Sequence, residues 1–319
     1  MFLDQAYKGL NDWWRYILGV AIIISGYFLG QIPLTAVMYY KLASNPELGI
    51  DELETFTKTM DFAVLGISKN TGFLLLILMF VVAMLALWLV VTRVHSKKVK
   101  DLITPNRPVN YNKILFGFGL WILLGLVTEL VNYWLNPGVY TFRWSGSTFV
   151  MLFVLAFIFL PIQTSFEELF FRGYIMQGIA FFAKNKWIPI LFSSILFGLI
   201  HGMNPEIKQY GFIPMQTYYI AAGLFLAIIT VLDDGLELAL GVHAATNFFG
   251  ATFLTYEGSV LQTDTLCIAS EINPWEMLFG FVIASAVFIY ICMKKYNWPT
   301  LNSLTNADLH ATNNNVNEF

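Results

Sequence analysis

The chain of 319 residues is 57% hydrophobic and only 12% charged, and its formal net charge is −3. Soluble domains carry roughly a quarter charged residues, so this composition excludes a water-facing surface over most of the chain. The acidic balance offers no basic face for nucleic acid, and the two cysteines, Cys267 and Cys292, are too few for a disulfide framework. The composition predicts an all-α, polytopic transmembrane helical bundle.

About eight apolar runs have a length close to that of a membrane-spanning helix. They fall at about 15–40, 72–93, 113–135, 147–165, 187–203, 214–232, 236–256 and 274–293. The first run is too long for the core of a signal peptide, so we expect it to remain as a span. A further run, 168–183, is amphipathic and contains Arg172, which predicts a separate interfacial or re-entrant helix.

The chain divides into four regions by composition. They are N-terminal transmembrane helices over 1–144, a core with the polar motifs over 145–257, a loop and last transmembrane helix over 258–300, and a disordered polar tail over 301–319. Lys and Arg cluster after the second span, before the fifth and after the eighth, whereas the connection after the first span is acidic. Because basic loops stay on the cytoplasmic side, we expect an integral protein of the plasma membrane with both termini in the cytoplasm.

The stretch Ser-Phe-Glu-Glu-Leu-Phe-Phe-Arg-Gly-Tyr, 165–174, places three ionisable side chains in apolar surroundings. On a helix, Glu168 and Arg172 are four residues apart in the order that favours an ion pair. Glu167 points roughly 100° away, which leaves it available as a general acid or base. The alternative is a self-neutralising structural cluster at a helix end.

Two further motifs place polar side chains one helical turn from a partner. Phe197 precedes His201 by four residues, and His243 precedes Asn247 by the same interval. Taken singly, His201 could be a histidine at the end of a span that bonds to a backbone carbonyl. His243 and Asn247 could serve merely to join neighbouring helices through hydrogen bonds. Together, buried carboxylate, imidazole and amide groups favour a shared wet cavity. A glutamate and a histidine could activate water there, while a histidine and an asparagine stabilise an oxyanion.

Several other polar residues carry weaker hypotheses. Glu129 and Asn132 could pair or line a cavity, whereas a helix N-terminus accounts for the acidic cluster near the seventh span. That cluster is Asp233, Asp234 and Glu237. His95 lies in a basic loop and His310 in the polar tail, where we expect solvated side chains.

The ordered set Glu-Glu-x-x-x-Arg, Phe-x-x-x-His and His-x-x-x-Asn resembles the motifs of the CAAX protease and bacteriocin-processing family, also called the Abi family. The resemblance covers about 145–255. It implies an intramembrane endopeptidase in which Glu167 and His201 activate water. His243 and Asn247 would stabilise the oxyanion.

The same resemblance implies supporting roles for three residues and a class of partner. Glu168, Arg172 and Phe197 would shape the site. Substrates in this family range from prenylated C-terminal peptides to bacterial peptides, and some members act in bacteriocin immunity. We therefore expect a peptide or lipidated-peptide substrate, membrane lipid as the surroundings, and no nucleic acid.

Metal dependence and a non-proteolytic role remain open alternatives. Glu167, His201 and His243 could hold Zn²⁺ with an open position, but the compact zincin spacing is absent, so we favour a site without a cofactor. The same residues could serve a proton-coupled transporter, or the chain could be a non-catalytic scaffold or immunity protein. Counting along straight helices puts the three motifs at different depths, so convergence requires 168–183 to enter the membrane or the fifth span to start deeper.

Overall fold

The computed structural model describes residues 1–105, 107–183 and 185–304. His310 and residues 305–319 of the predicted tail therefore lie outside the described residues. The described chain forms an all-α bundle with one small sheet, which confirms the predicted fold class.

The helices follow one another along the chain and are numbered in that order. They are α1 (Trp13–Gly30), α2 (Ile32–Ser44), α3 (Ile50–Thr59), α4 (Lys69–Leu89), α5 (Tyr111–Leu135), α6 (Ser147–Glu168), α7 (Met176–Phe182), α8 (Trp187–Ile200), α9 (Pro205–Tyr210), α10 (Phe212–Leu232), α11 (Glu237–Thr252) and α12 (Pro274–Tyr296). Three short strands join the loops at one end, namely β1 (Tyr140–Phe142), β2 (Leu254–Tyr256) and β3 (Cys267–Ala269). Strand β3 lies in the middle, antiparallel to β1 and parallel to β2.

Among the described residues, 6 helical segments are long and apolar enough to cross a membrane. They are Trp13–Ser44, Lys69–Val94, Tyr111–Leu135, Ser147–Phe182, Phe212–Leu232 and Pro274–Tyr296. The fifth and seventh predicted spans are shorter helices instead, with 14 residues in α8 and 16 in α11. Helix α11 is buried along most of its length against α5 and α6, so protein rather than lipid surrounds it.

Run 168–183 does not form the separate interfacial helix that the sequence predicts. Helix α6 continues through a π-helical segment, Leu169–Ile175, directly into α7, which makes one helix of 36 residues. Most of these residues are buried. The charged side chains of Glu168 and Arg172 are tolerated there because they pair with each other. Amphipathicity in this run reflects a polar protein interior and not a water-facing surface.

Phe2 near the N-terminus and Trp298 after α12 both contact the turn between α10 and α11. The backbone N–H of Phe2 donates to Asp234, and the indole N–H of Trp298 donates to Asp233 at 2.9 Å. Asp233 also pairs with Lys113 at 2.6 Å. We call this the terminal end of the bundle and the opposite end, which carries β1–β3, the sheet end. The acids before α11 therefore bind the N-terminal segment and the segment after α12, in addition to lying near a helix N-terminus.

The prediction of a solvated position for His95 is wrong. His95 is buried at the terminal end of α4, with Nδ1 2.7 Å from the carbonyl oxygen of Leu10 and Nε2 2.9 Å from the hydroxyl of Tyr174. The N-terminal segment folds back over the end of α4 and supplies the carbonyl, which sequence distance did not reveal. Both cysteines are free, as expected.

Helices α5 and α11 approach each other closely because glycines line their contact. A Cβ built on Gly241 would overlap the carbonyl oxygen of Ile114, and one on Gly117 would lie 2.8 Å from the carbonyl oxygen of Leu238. Helix α11 carries His243, so this contact sets the position of a candidate site residue.

We expect Gly241→Val to destabilise the folded protein by about 2 kcal/mol, because overpacking forces the two helices apart. Thermal unfolding in lipid nanodiscs measures the effect. Gly119→Val is the matched control, since a Cβ there meets nothing within 4 Å. Equal melting temperatures for the two variants would contradict this account of the helix contact.

Candidate active site

The continuous α6–α7 helix brings Glu167 and His201 to a similar level. Helix α7 packs against α8, which begins five residues after α7 ends. About 15 residues separate Glu167 from the end of α7, and about 14 separate the start of α8 from His201, which is ~22 and ~21 Å of helix. The mismatch in depth that straight counting produced therefore disappears, because the chain runs on past Glu167 before it turns back.

Glu168 is the centre of a buried ionic cluster. Its Oε1 accepts a hydrogen bond from Nη1 of Arg172 at 2.8 Å, as the four-residue spacing predicted, and lies 2.6 Å from Nδ1 of His243. Arg172 also donates through Nη2 to the carbonyl oxygen of Gly223 in α10 at 3.1 Å. Its guanidinium carbon lies 4.4 Å from the centre of the Phe197 ring. One carboxylate thus joins α6, α10 and α11 in the bundle interior.

Contact with Glu168 determines the orientation of the His243 ring. A carboxylate oxygen at 2.6 Å accepts the Nδ1 proton, so Nε2 faces the other way. Nε2 lies 3.6 Å from Oε2 of Glu167. The sequence interpretation paired His243 with Asn247 on its own helix, but the partners that hold the ring come from α6.

Glu167 is buried and has one side-chain hydrogen bond among the described residues. Its Oε1 accepts from Nε2 of Gln163 at 3.2 Å, and Oε2 faces His243. Gln163 stands one helical turn before Glu167, so the same spacing rule that revealed Arg172 could have revealed it. The carboxylate therefore presents Oε2 to the second motif histidine.

The ring of His201 is held by its own helix and by α10. Nδ1 lies 2.7 Å from the carbonyl oxygen of Phe197, so Nδ1–H donates there and Nε2 keeps its lone pair. The ring stacks on Tyr219 at a centroid distance of 4.5 Å and contacts Phe197 at 4.6 Å. The Tyr219 hydroxyl accepts from the amide of Asn204 at 3.1 Å. Sequence reasoning missed Tyr219, because no local spacing connects it to His201.

All four residues predicted to be catalytic line one cavity of about 1250 Å³. Asn247 is among them, and its side chain has no hydrogen-bond partner in the described part of the chain. Glu129 and Asn132 line the same cavity, with Glu129 accepting from Tyr140 at 3.1 Å and from Asn132 at 3.5 Å. The predicted residues therefore meet in one space, although their catalytic roles stay predictions.

The cavity has two contrasting walls. Apolar and aromatic side chains of α1 and α4 form one, including Ile24, Phe28, Ile77 and Phe80. At the sheet end the wall is polar, with Asn204, Glu206, Tyr219, Tyr256, Glu271 and Glu276. A cavity with these walls suits an occupant with both apolar and polar parts.

The zinc alternative gains no support from the described residues. Within residues 1–105, 107–183 and 185–304, no three His, Cys, Asp or Glu side chains are grouped so that they could hold a metal ion. Metal-independent chemistry stays a prediction, and no step below is derived through a metal.

Comparison with known proteins places this site in a family. The family described as "Type II CAAX prenyl endopeptidase Rce1-like" matches residues 146–249, which contain all three motifs. The uncharacterized protein YyaK of Bacillus subtilis (strain 168) is 30% identical over 279 residues, which is 86% of this chain and 90% of that protein. No solved structure matches. The chain belongs to the Rce1-like family of CAAX-type membrane endopeptidases.

Proposed function

We propose that this protein is an intramembrane endopeptidase that hydrolyses a peptide bond with water activated by Glu167. One observation supports this most: Oε2 of Glu167 and Nε2 of His243 face each other at 3.6 Å in a buried cavity that His201 and Asn247 also line. One water molecule lying beside these two atoms, on the cavity side, can hydrogen-bond to both. The family of the chain favours a peptidase over the transporter and the scaffold.

The first chemical step requires a base and a group that orients the attacking water. Glu167 takes a proton from water while the water oxygen forms a bond to the carbonyl carbon of the peptide. Nε2 of His201 has a free lone pair and accepts the second water proton in a hydrogen bond, which orients the water. The carbonyl π electrons move onto oxygen and produce a tetrahedral oxyanion.

His243 and Asn247 stabilise this oxyanion through N–H donors. For Nε2 of His243 to donate, the ring must carry a proton on both nitrogens, because Nδ1–H already donates to Oε1 of Glu168 at 2.6 Å. Glu167, Glu168, Arg172 and protonated His243 together carry no net charge, which suits a buried site. Glu167 then gives its proton to the leaving nitrogen as the carbon–nitrogen bond breaks.

The substrate we propose is a peptide or lipidated peptide that reaches the cavity from the membrane. The apolar wall from α1 and α4 supports this, because it offers an apolar segment a path to the catalytic groups. We further propose a multi-pass protein of the plasma membrane with the terminal end of the bundle in the cytoplasm. Lys and Arg gather in the connections at that end, in agreement with the positive-inside rule.

We expect Glu167→Gln to lower the rate of peptide cleavage by at least about 10²-fold, because the amide cannot take the proton from water. Comparative peptidomics of cells that express the wild-type or variant protein measures the effect and also identifies the substrate. Glu257→Gln, an exposed carboxylate outside the cavity, is the matched control. If Glu167→Gln and His201→Ala both leave the peptide pattern of the wild type intact, the protein is not this peptidase.

Asn247→Ala should lower kcat by about 10²-fold with a much smaller change in KM, since an oxyanion donor acts mainly in the transition state. Steady-state kinetics on a peptide found by peptidomics gives both constants. Asn132→Ala removes another amide from the cavity wall and serves as the control. A change confined to KM would assign Asn247 to substrate binding instead.

Glu168→Gln should lower stability by about 3 kcal/mol, because the buried Arg172 then loses its carboxylate partner. The double variant Glu168→Gln with Arg172→Met removes both charges and should recover part of the loss. Thermal unfolding in nanodiscs provides the comparison. A single variant as stable as the wild type would show that this ion pair does not hold the bundle together.

A further inference from the structure

Glu206 is a buried carboxylate that the proposed mechanism does not use. It lies in α9, five positions after His201, and only 2% of its surface is exposed. Its Oε1 accepts a hydrogen bond from the backbone N–H of Val260 at 2.7 Å. Its Oε2 is buried and has no hydrogen-bond partner among the described residues. A buried carboxylate oxygen without a partner costs folding free energy, which a bound ligand can offset.

Glu206 forms no ion pair with a Lys or Arg of the described chain. Glu206 lines the sheet end of the cavity, and no Lys or Arg is found among the described residues of the cavity wall. The other carboxylates on that wall are Glu129, Glu167, Glu271 and Glu276. Burial raises the pKa of Glu206 to about 7, so the group is ionised in mildly alkaline solution. The sheet end therefore combines a carboxylate oxygen that has no hydrogen-bond partner with further acidic side chains.

Aromatic side chains complete a setting suited to a cation. Tyr218, Tyr219 and Tyr256 line the cavity at the same end, and aromatic faces attract ammonium and guanidinium groups. Tyr219 stacks on His201 and bonds to Asn204, two residues before Glu206. One continuous wall thus connects Glu206 with the candidate water-activating histidine.

We infer that Glu206 is a substrate-binding residue that receives an ammonium or guanidinium group of the peptide at Oε2. This rests on the proposed function for the identity of the occupant. The carboxylates of the polar wall would repel a free C-terminal carboxylate of a substrate. The peptide segment at the sheet end therefore carries a Lys or Arg side chain or an amino terminus. The apolar wall receives the apolar part of the same peptide, and the two walls together set the register of the scissile bond at Glu167.

Equilibrium binding tests the inference without any need for cleavage. The probes are three fluorescein-labelled peptides of Leu and Ala, acetylated and amidated at their ends, which differ at one central position that is Lys, Gln or Glu. The proteins all carry Glu167→Gln, so bound peptide is not consumed. They are that parent, the same protein with Glu206→Gln, and the same protein with Glu257→Gln as the control. Glu257 is an exposed carboxylate next to β2 that does not line the cavity.

Fluorescence anisotropy at pH 8 in phosphatidylcholine nanodiscs, with empty nanodiscs subtracted, gives the affinities. We expect the parent to bind the Lys peptide about tenfold more tightly than the Gln peptide, which is the strength of one charge-assisted hydrogen bond. The Glu peptide should bind most weakly. Glu206→Gln should remove the preference for Lys, and Glu257→Gln should retain it.

Three outcomes overturn the inference: equal affinities of the parent for the Lys and Gln peptides, no measurable binding of the Lys peptide, or an undiminished preference in Glu206→Gln. If Glu206→Gln does not fold, the parent comparison still decides, and Glu206→Asp, which keeps the charge, should retain part of the preference. Failure of cleavage in the wild type would refute the proposed function and leave this binding result unaffected.

Discussion

The buried contact of Glu168 with Arg172 and His243 is the interaction on which the arrangement of the site depends. A single carboxylate oxygen lies 2.8 Å from the guanidinium and 2.6 Å from the imidazole, and Glu168 and Arg172 have no exposed surface. Charges buried in this way are tolerated only when they compensate one another. Helices α6, α10 and α11 are therefore held in one relative position, and the orientation of the His243 ring follows from that position.

The π-helical segment after Glu168 is the second constraint. It allows α6 to continue into α7 without a break, and π-helical turns inside longer helices frequently occur at functional sites. Because the chain continues toward the terminal end before it turns into α8, the end of α8 returns to the level of Glu167. The site thus results from the packing of one long helix against a short one, and the glycine contact between α5 and α11 sets the position of His243 beside them.

The walls of the cavity differ in polarity, and this difference bears on which substrates it can bind. Its apolar wall comes from α1 and α4, outside the region 146–249 that matches the family. Its polar wall at the sheet end lies partly inside that region, with Asn204, Glu206 and Tyr219, and partly outside it, with Tyr256, Glu271 and Glu276. The catalytic groups that we propose lie between these walls. The apolar part of the binding surface that we propose therefore comes from a different part of the chain than the proposed catalytic groups, which all lie within 146–249.

The sequence by itself determined the membrane-embedded all-α class, the positions of the three motifs and the Glu168–Arg172 pair. Composition and four-residue spacing are local properties, and a helix converts them directly into faces and neighbours. Only the tertiary structure decided that His243, 75 residues away, binds Glu168 and not Asn247, and that His95 is buried. The same holds for the short α8 and α11 and for Glu206, because each depends on which helices and loops pack together, and helical periodicity carries no information about partners on other helices.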